Sequence, residues 1–246
     1  MELKRADVAL CEAGLAESRT KARELIKEGV ALVNDAPIEK PSQLVDTTAK
    51  FSLTLDVPAD VSRAGQKLRA AITAFNPEIK GKVFVDIGAS TGGFTQCLLE
   101  HGAKKVYSVD VGTDQLHHSL CEDARVVVME GVNARTLTKD SFDEEIDGVV
   151  MDVSFISQTL IYPAVSLFLK KGCPMIALVK PQFEVGKENV GKKGIVKDKK
   201  GTLLEMVLLK IRLAAEDNGF TVGDTIPSPI KGGKGNTEYL TLFYKQ

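Results

Sequence analysis

The sequence lacks the features that mark membrane and secreted proteins. It has no unbroken apolar run of the roughly 20 residues that a membrane helix needs. Its first five residues, Met1 to Arg5, lack the apolar core of a signal peptide. It has only four cysteines, with no CxxC pair and no nearby histidine cluster, so neither a disulfide framework nor a zinc site is indicated. We therefore expect a cytoplasmic chain with buried thiols and no bound metal.

A large excess of charge of either sign is also missing. The net charge is −1, which counts mildly against a nucleic acid as partner. Positive charge is concentrated locally, because residues 180–200 hold seven lysines against three acids. Lys187, Lys192 and Lys193 are candidates for contact with RNA phosphates, although lysines that only keep a loop solvated would give the same pattern.

The 246 residues, 43% of them hydrophobic, are enough for one large domain and a small one. Residues 1–60 form the small α+β unit in this interpretation. Its second helix is predicted between the cap Ser18 and the stop Gly29. Short strands are predicted at 30–34 and 36–38, joined by a tight turn.

Basic residues recur along this small unit. Arg19, Arg23 and Lys27 are spaced by four and share one face of the predicted helix, along which a phosphate backbone could lie. Arg5, just before the first helix, is a further candidate. An ordinary solvated face remains the alternative, since residues 1–60 carry eleven acids against eight bases.

The order of these residues is more informative than their charge. Lys4-Arg5-Ala6-Asp7 opens a helix, and Ser18-Arg19, Ala22, Leu25-Ile26, Gly29 and Val33-Asn34 follow at set intervals. This pattern resembles the RNA-binding module named after ribosomal protein S-four. The resemblance implies that residues 1–60 bind RNA.

A Pro-containing linker, Asp56 to Asp60, separates the small unit from a larger one at 61–246. A helix is predicted from the cap Ser62 to Asn76-Pro77, and strands then alternate with helices. Such alternation predicts a Rossmann-like α/β domain with a parallel sheet, which binds ligands at the carboxyl ends of its strands. The seven predicted strands are 83–87, 105–110, 126–130, 147–152, 175–179, 220–226 and 238–244; the helices are about 93–101, near 115, from about 160, and 203–218.

A glycine-rich turn follows the first of these strands. Its glycines let the backbone approach a ligand closely, but Ser90 stands where a dinucleotide fingerprint needs glycine. Asp86 suits a cofactor with a positively charged amino group, and Asp110, roughly 20 residues on, can accept both ribose hydroxyls. These features favour S-adenosylmethionine over NAD. The candidate cofactor residues are Asp86, Gly88, Ala89, Ser90, Thr91, Gly92, Gly93, Phe94, Asp110, Glu130, Asn133 and Asp152.

Glu130 and Asn133, which follow the third strand, could read the adenine edge. Strand ends are also often polar merely because they reach solvent. The role of these two residues in adenine binding is therefore left open.

Asp152 ends one predicted strand and Lys180 follows another, so parallel strands bring both to one edge of the sheet. A lysine after so apolar a strand must reach solvent or meet a carboxylate. A purely structural Asp152–Lys180 ion pair is therefore an alternative to a catalytic one. Glu238 begins the last strand, and Lys67 lies on the helix before the sheet, where a surface lysine is the alternative.

Five motifs carry a closer resemblance. They are Ser62-Arg-Ala-Gly-Gln-Lys67, Asp86-Ile-Gly-Ala-Ser-Thr-Gly-Gly-Phe-Thr95, Met151-Asp-Val-Ser-Phe-Ile156, Val179-Lys-Pro-Gln-Phe-Glu184 and Asn236-Thr-Glu238. Together they resemble the TlyA (hemolysin A-type) family of the FtsJ class of RNA ribose methyltransferases. The resemblance implies that Lys67, Asp152, Lys180 and Glu238 form a catalytic tetrad. It also implies a cytidine 2′-hydroxyl of ribosomal RNA as substrate. The ends of the chain resemble the shorter form of the family, which is associated with the large ribosomal subunit.

The chemistry of ribose methylation fits this tetrad. The hydroxyl oxygen must be aimed at the methyl carbon and relieved of its proton. Lys180 is the candidate base, and because free lysine titrates near 10.4 it would need desolvation and nearby positive charge, from Lys67 and the sulfonium. Asp152 would orient Lys180 and the substrate, and Glu238 would orient Lys67 or the hydroxyl. Alternatively, Lys180 only steers the hydroxyl while water takes the proton.

Three other functions are consistent with some of these sequence features. One is a non-catalytic RNA-binding or ribosome-assembly protein that keeps the fold as a scaffold, against which the intact tetrad argues. Another is a small-molecule methyltransferase, against which the RNA-binding module argues. The third is a membrane-active hemolysin, for which the sequence offers no strongly basic amphipathic helix.

Overall fold

The computed structural model describes residues 3–16, 18–27, 31–53, 62–191, 194–198, 201–232 and 235–246. For Lys21, Glu24, Lys27 and Lys187 only the backbone is described. The chain divides into two compact units, Met1–Asp60 and Val61–Gln246. The predicted linker at 56–60 and the predicted helix stop Gly29 lie outside the described residues.

The smaller unit combines two helices with five short strands. Asn34 and Asp35 both have positive φ, 50° and 63°, which is the conformation of a two-residue hairpin turn. One sheet pairs β1 with β4 and the other has the order β3-β2-β5. The predicted helices and hairpin are confirmed. The elements are β1 Leu3–Arg5, α1 Ala6–Glu12, α2 Arg19–Lys27, β2 Ala31–Val33, β3 Ala36–Pro37, β4 Leu44–Asp46 and β5 Phe51–Leu53.

The larger unit alternates strands with helices. All seven predicted strands are present, each within one residue of its predicted ends. Short 3-10 helices lie at Ala134–Thr136, Lys139–Ser141, Gln158–Leu160 and Lys187–Asn189. The main elements are α3 Ala64–Phe75, β6 Val83–Ile87, α4 Gly93–Glu100, β7 Lys105–Val109, α5 His118–Cys121, β8 Val126–Met129, β9 Gly148–Met151, α6 Tyr162–Phe168, β10 Pro174–Val179, α7 Pro181–Glu184, α8 Thr202–Asp217, β11 Phe220–Pro227 and β12 Tyr239–Lys245.

The seven strands form one sheet in the order β11-β12-β10-β9-β6-β7-β8. The five strands from β10 to β8 are parallel, and β12 runs antiparallel to both β10 and β11. Helices cover both faces, with one hydrophobic cluster around Val85, Met151 and Phe243 and another around Phe84, Leu98 and Val150. The Rossmann-like fold is confirmed. The side of the sheet at which the parallel strands end is called the carboxyl edge below.

Local signals mark both ends of α3. The Ser62 hydroxyl accepts a hydrogen bond from the Ala64 N–H, and α3 ends where Asn76 adopts a left-handed conformation. The helix expected near Gln115 starts only at His118. The segment before it is irregular, and the Glu130 carboxylate binds the N–H groups of residues 114–116 there. No helix in the described part of the chain is long and apolar enough to span a membrane.

Candidate active site

The glycine-rich turn begins at the carboxyl edge, directly after β6. Gly88 has φ +83°, and a Cβ there would lie 2.7 Å from the backbone oxygen of Asp152. The N–H groups of Gly88 and Ala89 both donate to the Val109 carbonyl at the end of β7. Glycine at 88 therefore lets the ends of β6, β7 and β9 meet closely, which places the turn beside Asp152.

The other two glycines of the turn pack closely against other residues of the protein. Gly92 has φ +98°, and a Cβ there would meet the Leu120 side chain at 2.2 Å. A Cβ on Gly93 would lie 2.4 Å from the Ser62 hydroxyl oxygen. These two glycines fit the turn against α5 and the start of α3.

Asp110 follows β7 and faces Ser90 of the turn. Its Oδ2 accepts the Ser90 N–H at 2.9 Å and its Oδ1 accepts the Gly112 N–H at 2.8 Å. Each carboxylate oxygen can accept a second hydrogen bond. Asp110 is thus held in place by the backbone and can still accept hydroxyl groups.

A cavity of about 510 Å³ opens at the carboxyl edge, between the ends of β6, β7 and β9. A smaller one of about 170 Å³ adjoins it and reaches Lys180. The two cavities share Gly88, Ser90, Asp152 and Ser154. Asp110 and Asn133 line the larger cavity, and Ala89, Thr91, Gly93 and Phe94 line the smaller one.

Three of the candidate cofactor residues lie outside both linings: Asp86, Gly92 and Glu130. Glu130 accepts hydrogen bonds from the N–H groups of Asp114, Gln115 and Leu116 at 2.7 to 2.9 Å. These bonds lower the pKa of Glu130 below its ordinary value. Its carboxylate therefore holds the segment that contains Gln115 at the wall of the larger cavity, and its role at the adenine edge stays a prediction.

Asp86 is fully buried beneath the turn. Its Oδ2 accepts the Thr95 hydroxyl at 2.7 Å, while its Oδ1 has no hydrogen-bond partner among the described residues. Burial raises the pKa of Asp86 to about 7, partly offset by the hydrogen bond from Thr95 and reinforced by the nearby charges of Asp152 and Asp110. Asp86 is thus a carboxyl group with spare capacity for a cation or a donor.

The four charged residues of the expected tetrad form two ion pairs. Lys180 Nζ lies 2.5 Å from Asp152 Oδ1 and donates a hydrogen bond to the Ser154 hydroxyl at 2.7 Å. The side chains of Lys180 and Asp152 are only 11% and 15% exposed. This pair lies on the wall of the smaller cavity, where a bound molecule can reach it.

Lys67 and Glu238 form the second pair. Lys67 Nζ donates to Glu238 Oε2 at 2.7 Å, and Gln182 Nε2 donates to Glu238 Oε1 at 3.1 Å. A side chain on Gly232 would collide with Glu238 Oε1, since its Cβ would lie 2.2 Å away. Lys67 is buried, so the alternative of a surface lysine is wrong.

This second pair changes the electrostatics expected from the sequence. The positive charge that Lys67 was expected to offer Lys180 is largely cancelled by a carboxylate in direct contact with it. Lys180 itself has the carboxylate of Asp152 as its nearest charge. The two lysines of the expected tetrad are therefore each paired with a carboxylate.

Two residues of this site did not stand out in the sequence. Ser154 accepts the hydrogen bond from Lys180, and Phe155 lines the larger cavity with a side chain that is 89% exposed. Both belong to the motif Met151-Asp-Val-Ser-Phe-Ile156. Their membership in that motif is the signal that could have pointed to them.

In the smaller unit, three candidate RNA-binding arginines converge on one acid. Asp7 is fully buried, and its carboxylate oxygens accept hydrogen bonds from Arg5, Arg19 and Arg23 at 2.9 to 3.2 Å. The three guanidinium groups remain about half exposed, at 44%, 53% and 46%. The cluster therefore has three positive charges around one negative charge.

The other candidate RNA-binding residues are only partly described. Lys27 ends α2 and Lys187 begins a 3-10 helix, but their side chains are not described. Lys192 and Lys193 lie outside the described residues. The structure thus gives side-chain positions for Arg5, Arg19 and Arg23 among this set.

Comparisons with known proteins agree with this geometry. Residues 61–245 match the family described as FtsJ-like methyltransferase, and residues 4–49 match the S4 domain. The chain is 42% identical over 231 residues to Hemolysin A of Brachyspira hyodysenteriae, covering 94% of this chain and 95% of that protein.

Two further relatives cover almost all of the chain. The chain is 42% identical over 237 residues to the 16S/23S rRNA (cytidine-2′-O)-methyltransferase TlyA of Mycobacterium tuberculosis, covering 96% of this chain and 88% of that protein. A solved structure from Streptococcus thermophilus, described only provisionally as a hemolysin, is 40% identical with a TM-score of 0.78 and covers 100% of this chain and 90% of its own.

Proposed function

The chain belongs to the family of FtsJ-like methyltransferases, and from this premise we propose that it transfers a methyl group from S-adenosylmethionine to the ribose 2′-hydroxyl of cytidine in ribosomal RNA. The observation that carries the proposal is the Asp152–Lys180 pair, 2.5 Å apart on the wall of a cavity that adjoins a larger one. A relative 42% identical to this chain is named for the same reaction.

The larger cavity has the properties of a site for S-adenosylmethionine. Its volume of about 510 Å³ lies in the usual range for small-molecule sites. Asp110 offers carboxylate oxygens for ribose hydroxyls. Asp86 lies beneath the turn and outside both linings, where its Oδ1 has no hydrogen-bond partner among the described residues and its charge would attract a cationic amino group. When bound, this cofactor supplies a methyl group on a positively charged sulfur.

We assign Lys180 to steering the ribose hydroxyl. Its ammonium has three N–H donors, of which one is used by Ser154 and another faces Asp152. The third can hold the 2′-oxygen in line for attack, which is the main contribution that positioning makes to such a reaction. Because Nζ already donates to Ser154 and faces Asp152, we assign Lys180 to positioning and favour water as acceptor of the hydroxyl proton, one of the two routes that the sequence left open.

Lys67 and Glu238 then act as a supporting pair. Glu238 holds Lys67 and also binds Gln182, which lies two residues after Lys180. Through Gln182 the pair is tied to the segment that carries Lys180. We propose that it fixes that segment rather than supplying uncompensated charge to Lys180.

The smaller unit is proposed to bind the RNA. Its match to the S4 domain and its cluster of three half-exposed arginines both support this role. Guanidinium groups suit phosphate because they present paired N–H donors to its oxygens. Such contacts fix the position of an RNA without reading its sequence.

The proposal is tested with purified full-length chain, S-adenosylmethionine labelled on its methyl group, and separated ribosomal subunits. We expect label in ribosomal RNA, at a 2′-O-methylcytidine that can be mapped by primer extension or mass spectrometry. Label on a base instead of a ribose would contradict the proposed reaction. Subunits left unlabelled by a folded chain that binds the cofactor would contradict the proposed substrate.

A further inference from the structure

Glu184 is a buried acid outside the four charged residues discussed above. Its side chain is 2% exposed. Its Oε2 accepts the Ser157 hydroxyl at 2.6 Å and its Oε1 accepts the Gln158 N–H at 3.0 Å. Lys210 Nζ, from α8, lies 2.8 Å from Oε2 and compensates the charge. All these contacts are short, so the carboxylate is firmly held.

Through these contacts Glu184 connects two segments of the chain. Glu184 is the last residue of α7, which starts directly after Lys180. Ser157 and Gln158 end the segment that follows Asp152. One carboxylate therefore joins the two segments that begin at the two members of the Asp152–Lys180 pair.

The segment held by Glu184 is strained. Phe155 has φ +66°, a left-handed conformation that bulky residues rarely adopt. Such a conformation persists only where the surrounding structure enforces it. The segment is fixed on one side by Asp152, whose N–H donates to the Ile87 carbonyl at the end of β6, and on the other by Ser157 and Gln158, which bind Glu184. The Phe155 ring also contacts Phe183, with centroids 5.2 Å apart.

The same segment forms part of the proposed site. Val153, Ser154, Phe155 and Ile156 all line the larger cavity, and Ser154 accepts the hydrogen bond from Lys180. A segment that relaxed to ordinary backbone angles would move these groups. The position of the Ser154 hydroxyl therefore depends on what holds the strained conformation.

We propose that Glu184 is a positioning residue, which holds residues 153–158 in the strained conformation and thereby keeps Ser154 against Lys180. The kinetic part of this inference rests on the proposed function, since it takes Lys180 to act in methyl transfer. The conformational part does not depend on it. The two parts are tested separately.

The kinetic test compares Glu184→Gln with Asp147→Asn. Asp147 is a matched control, because it also binds one backbone N–H, that of Val83, and one lysine, Lys170, at the opposite edge of the sheet. We expect both variants to lose thermal stability. Only Glu184→Gln should lower kcat, by roughly 10- to 100-fold, with an almost unchanged KM for RNA, because a small misplacement weakens catalysis without removing substrate contacts.

The conformational test needs no methyl transfer. The chain has no tryptophan, so Phe155→Trp introduces a single fluorescent reporter at an exposed position of the segment. We expect Glu184→Gln to lower the fluorescence anisotropy of this reporter, and Asp147→Asn to leave it unchanged. Should Glu184→Gln fail to fold, Ser157→Ala removes one of the two hydrogen bonds from the same segment and should give a smaller change in the same direction.

The possible outcomes distinguish failure of the proposed function from failure of the positioning role of Glu184. An unchanged reporter in folded Glu184→Gln, or a kcat equal to that of the control, would overturn the inference. A wild-type chain that methylates no RNA, together with a reporter that responds to Glu184→Gln, would reject the proposed function and leave Glu184 as the residue that holds the segment.

Discussion

Asp86 differs in its partner from the other buried acids near the carboxyl edge. It is bonded to a hydroxyl group, whereas Asp152, Glu184 and Glu238 have lysine ammonium groups at 2.5, 2.8 and 2.7 Å. A paired carboxylate is stabilised in its charged form, while burial without a cation favours the neutral acid. Asp86 is therefore the acid whose charge should depend on pH and on the ligand.

Asp86 should make the unliganded chain less stable as pH rises. Its folded pKa of about 7 lies above the roughly 3.9 of a free aspartate. The folded chain then binds the extra proton between these values, so the contribution of Asp86 to stability is highest below about pH 4 and falls until pH passes about 7. Thermal unfolding of wild type and Asp86→Asn across this range measures the effect. A pH dependence that is identical in both chains would contradict it.

The same residue should make cofactor binding depend on pH. An ionised Asp86 beneath the turn would attract the amino group of S-adenosylmethionine, and its ionised fraction rises several-fold from about pH 6 to about pH 7.5. We expect the Kd of the wild type to fall by a similar factor over this range, as measured by calorimetry. Asp86→Asn should bind more weakly at the higher pH and show little change with pH.

Lys180 and Asp152 are the residues whose removal should stop the reaction. We expect Lys180→Ala and Asp152→Ala to abolish detectable methyl transfer, because the ribose oxygen loses either the group that aims it or the carboxylate paired with that group. Lys180→Ala should change cofactor affinity little. Single-turnover assays and calorimetry measure the two effects. Lys170→Ala is the control, since Lys170 pairs with Asp147 at the opposite edge of the sheet. Wild-type turnover in either active-site variant would remove the assignment.

The sequence predicted these residues to different extents. Asp152 and Lys180 follow from strand ends, because the topology of a parallel sheet brings them together. The Lys67–Glu238 contact joins residues 171 positions apart, and only the family resemblance pointed to it. Arg19 and Arg23 were correctly predicted to share one face of a helix. Their common partner, Asp7, lies on another helix, and no spacing rule could predict that contact.

At the scale of elements, segments with strong local signals were predicted best. Strands β8, β9 and β10 are continuous apolar runs, and Asn76 before Pro77 ends α3 as expected. The start of α5 was misjudged, because the helix begins only at His118, where the His117 ring caps it by accepting the Ser119 N–H. A histidine is not among the usual capping residues, so little in the sequence indicated this start.

The turn after β6 offers a test of close packing. Gly88→Ala should weaken cofactor binding by at least tenfold and lower the melting temperature, because the new Cβ would lie 2.7 Å from the Asp152 backbone oxygen. Gly81→Ala is the matched control, with a similar φ of +74° but nothing within 4 Å of its Cβ. Both variants carry the backbone cost of roughly 1 kcal/mol. Equal losses of stability and affinity in the two would contradict the close-packing account.

The first two helices offer a test of the arginine cluster. Hydrogen bonds from the arginines, that of Arg5 above all, hold the pKa of Asp7 well below its ordinary value. A lowered pKa gives stability that is present above about pH 4 and is lost as pH falls below it. Asp7→Asn should remove this dependence and speed amide hydrogen exchange in α1 and α2, measured by mass spectrometry. Equal exchange in wild type and variant from about pH 3 to about pH 7 would argue against it.

At the scale of the whole molecule, each unit has its own hydrophobic core. The cluster around Leu10, Ala22 and Ile38 belongs to residues 1–60, and the two clusters that cover the sheet belong to residues 61–246. The cavities and the two lysine–carboxylate pairs of the proposed active site are built from the larger unit alone. Cofactor binding and RNA capture should therefore be separable.

Residues 61–246 expressed alone test this separation. We expect them to fold, because they retain both clusters around the sheet, and to bind S-adenosylmethionine with the Kd of the full chain. Their affinity for ribosomal RNA should fall at least tenfold, since the arginine cluster of the smaller unit is gone. Calorimetry and filter binding measure the two affinities. Full RNA affinity in the fragment would assign recognition to the larger unit, where the lysines of residues 180–200 would be the next residues to replace.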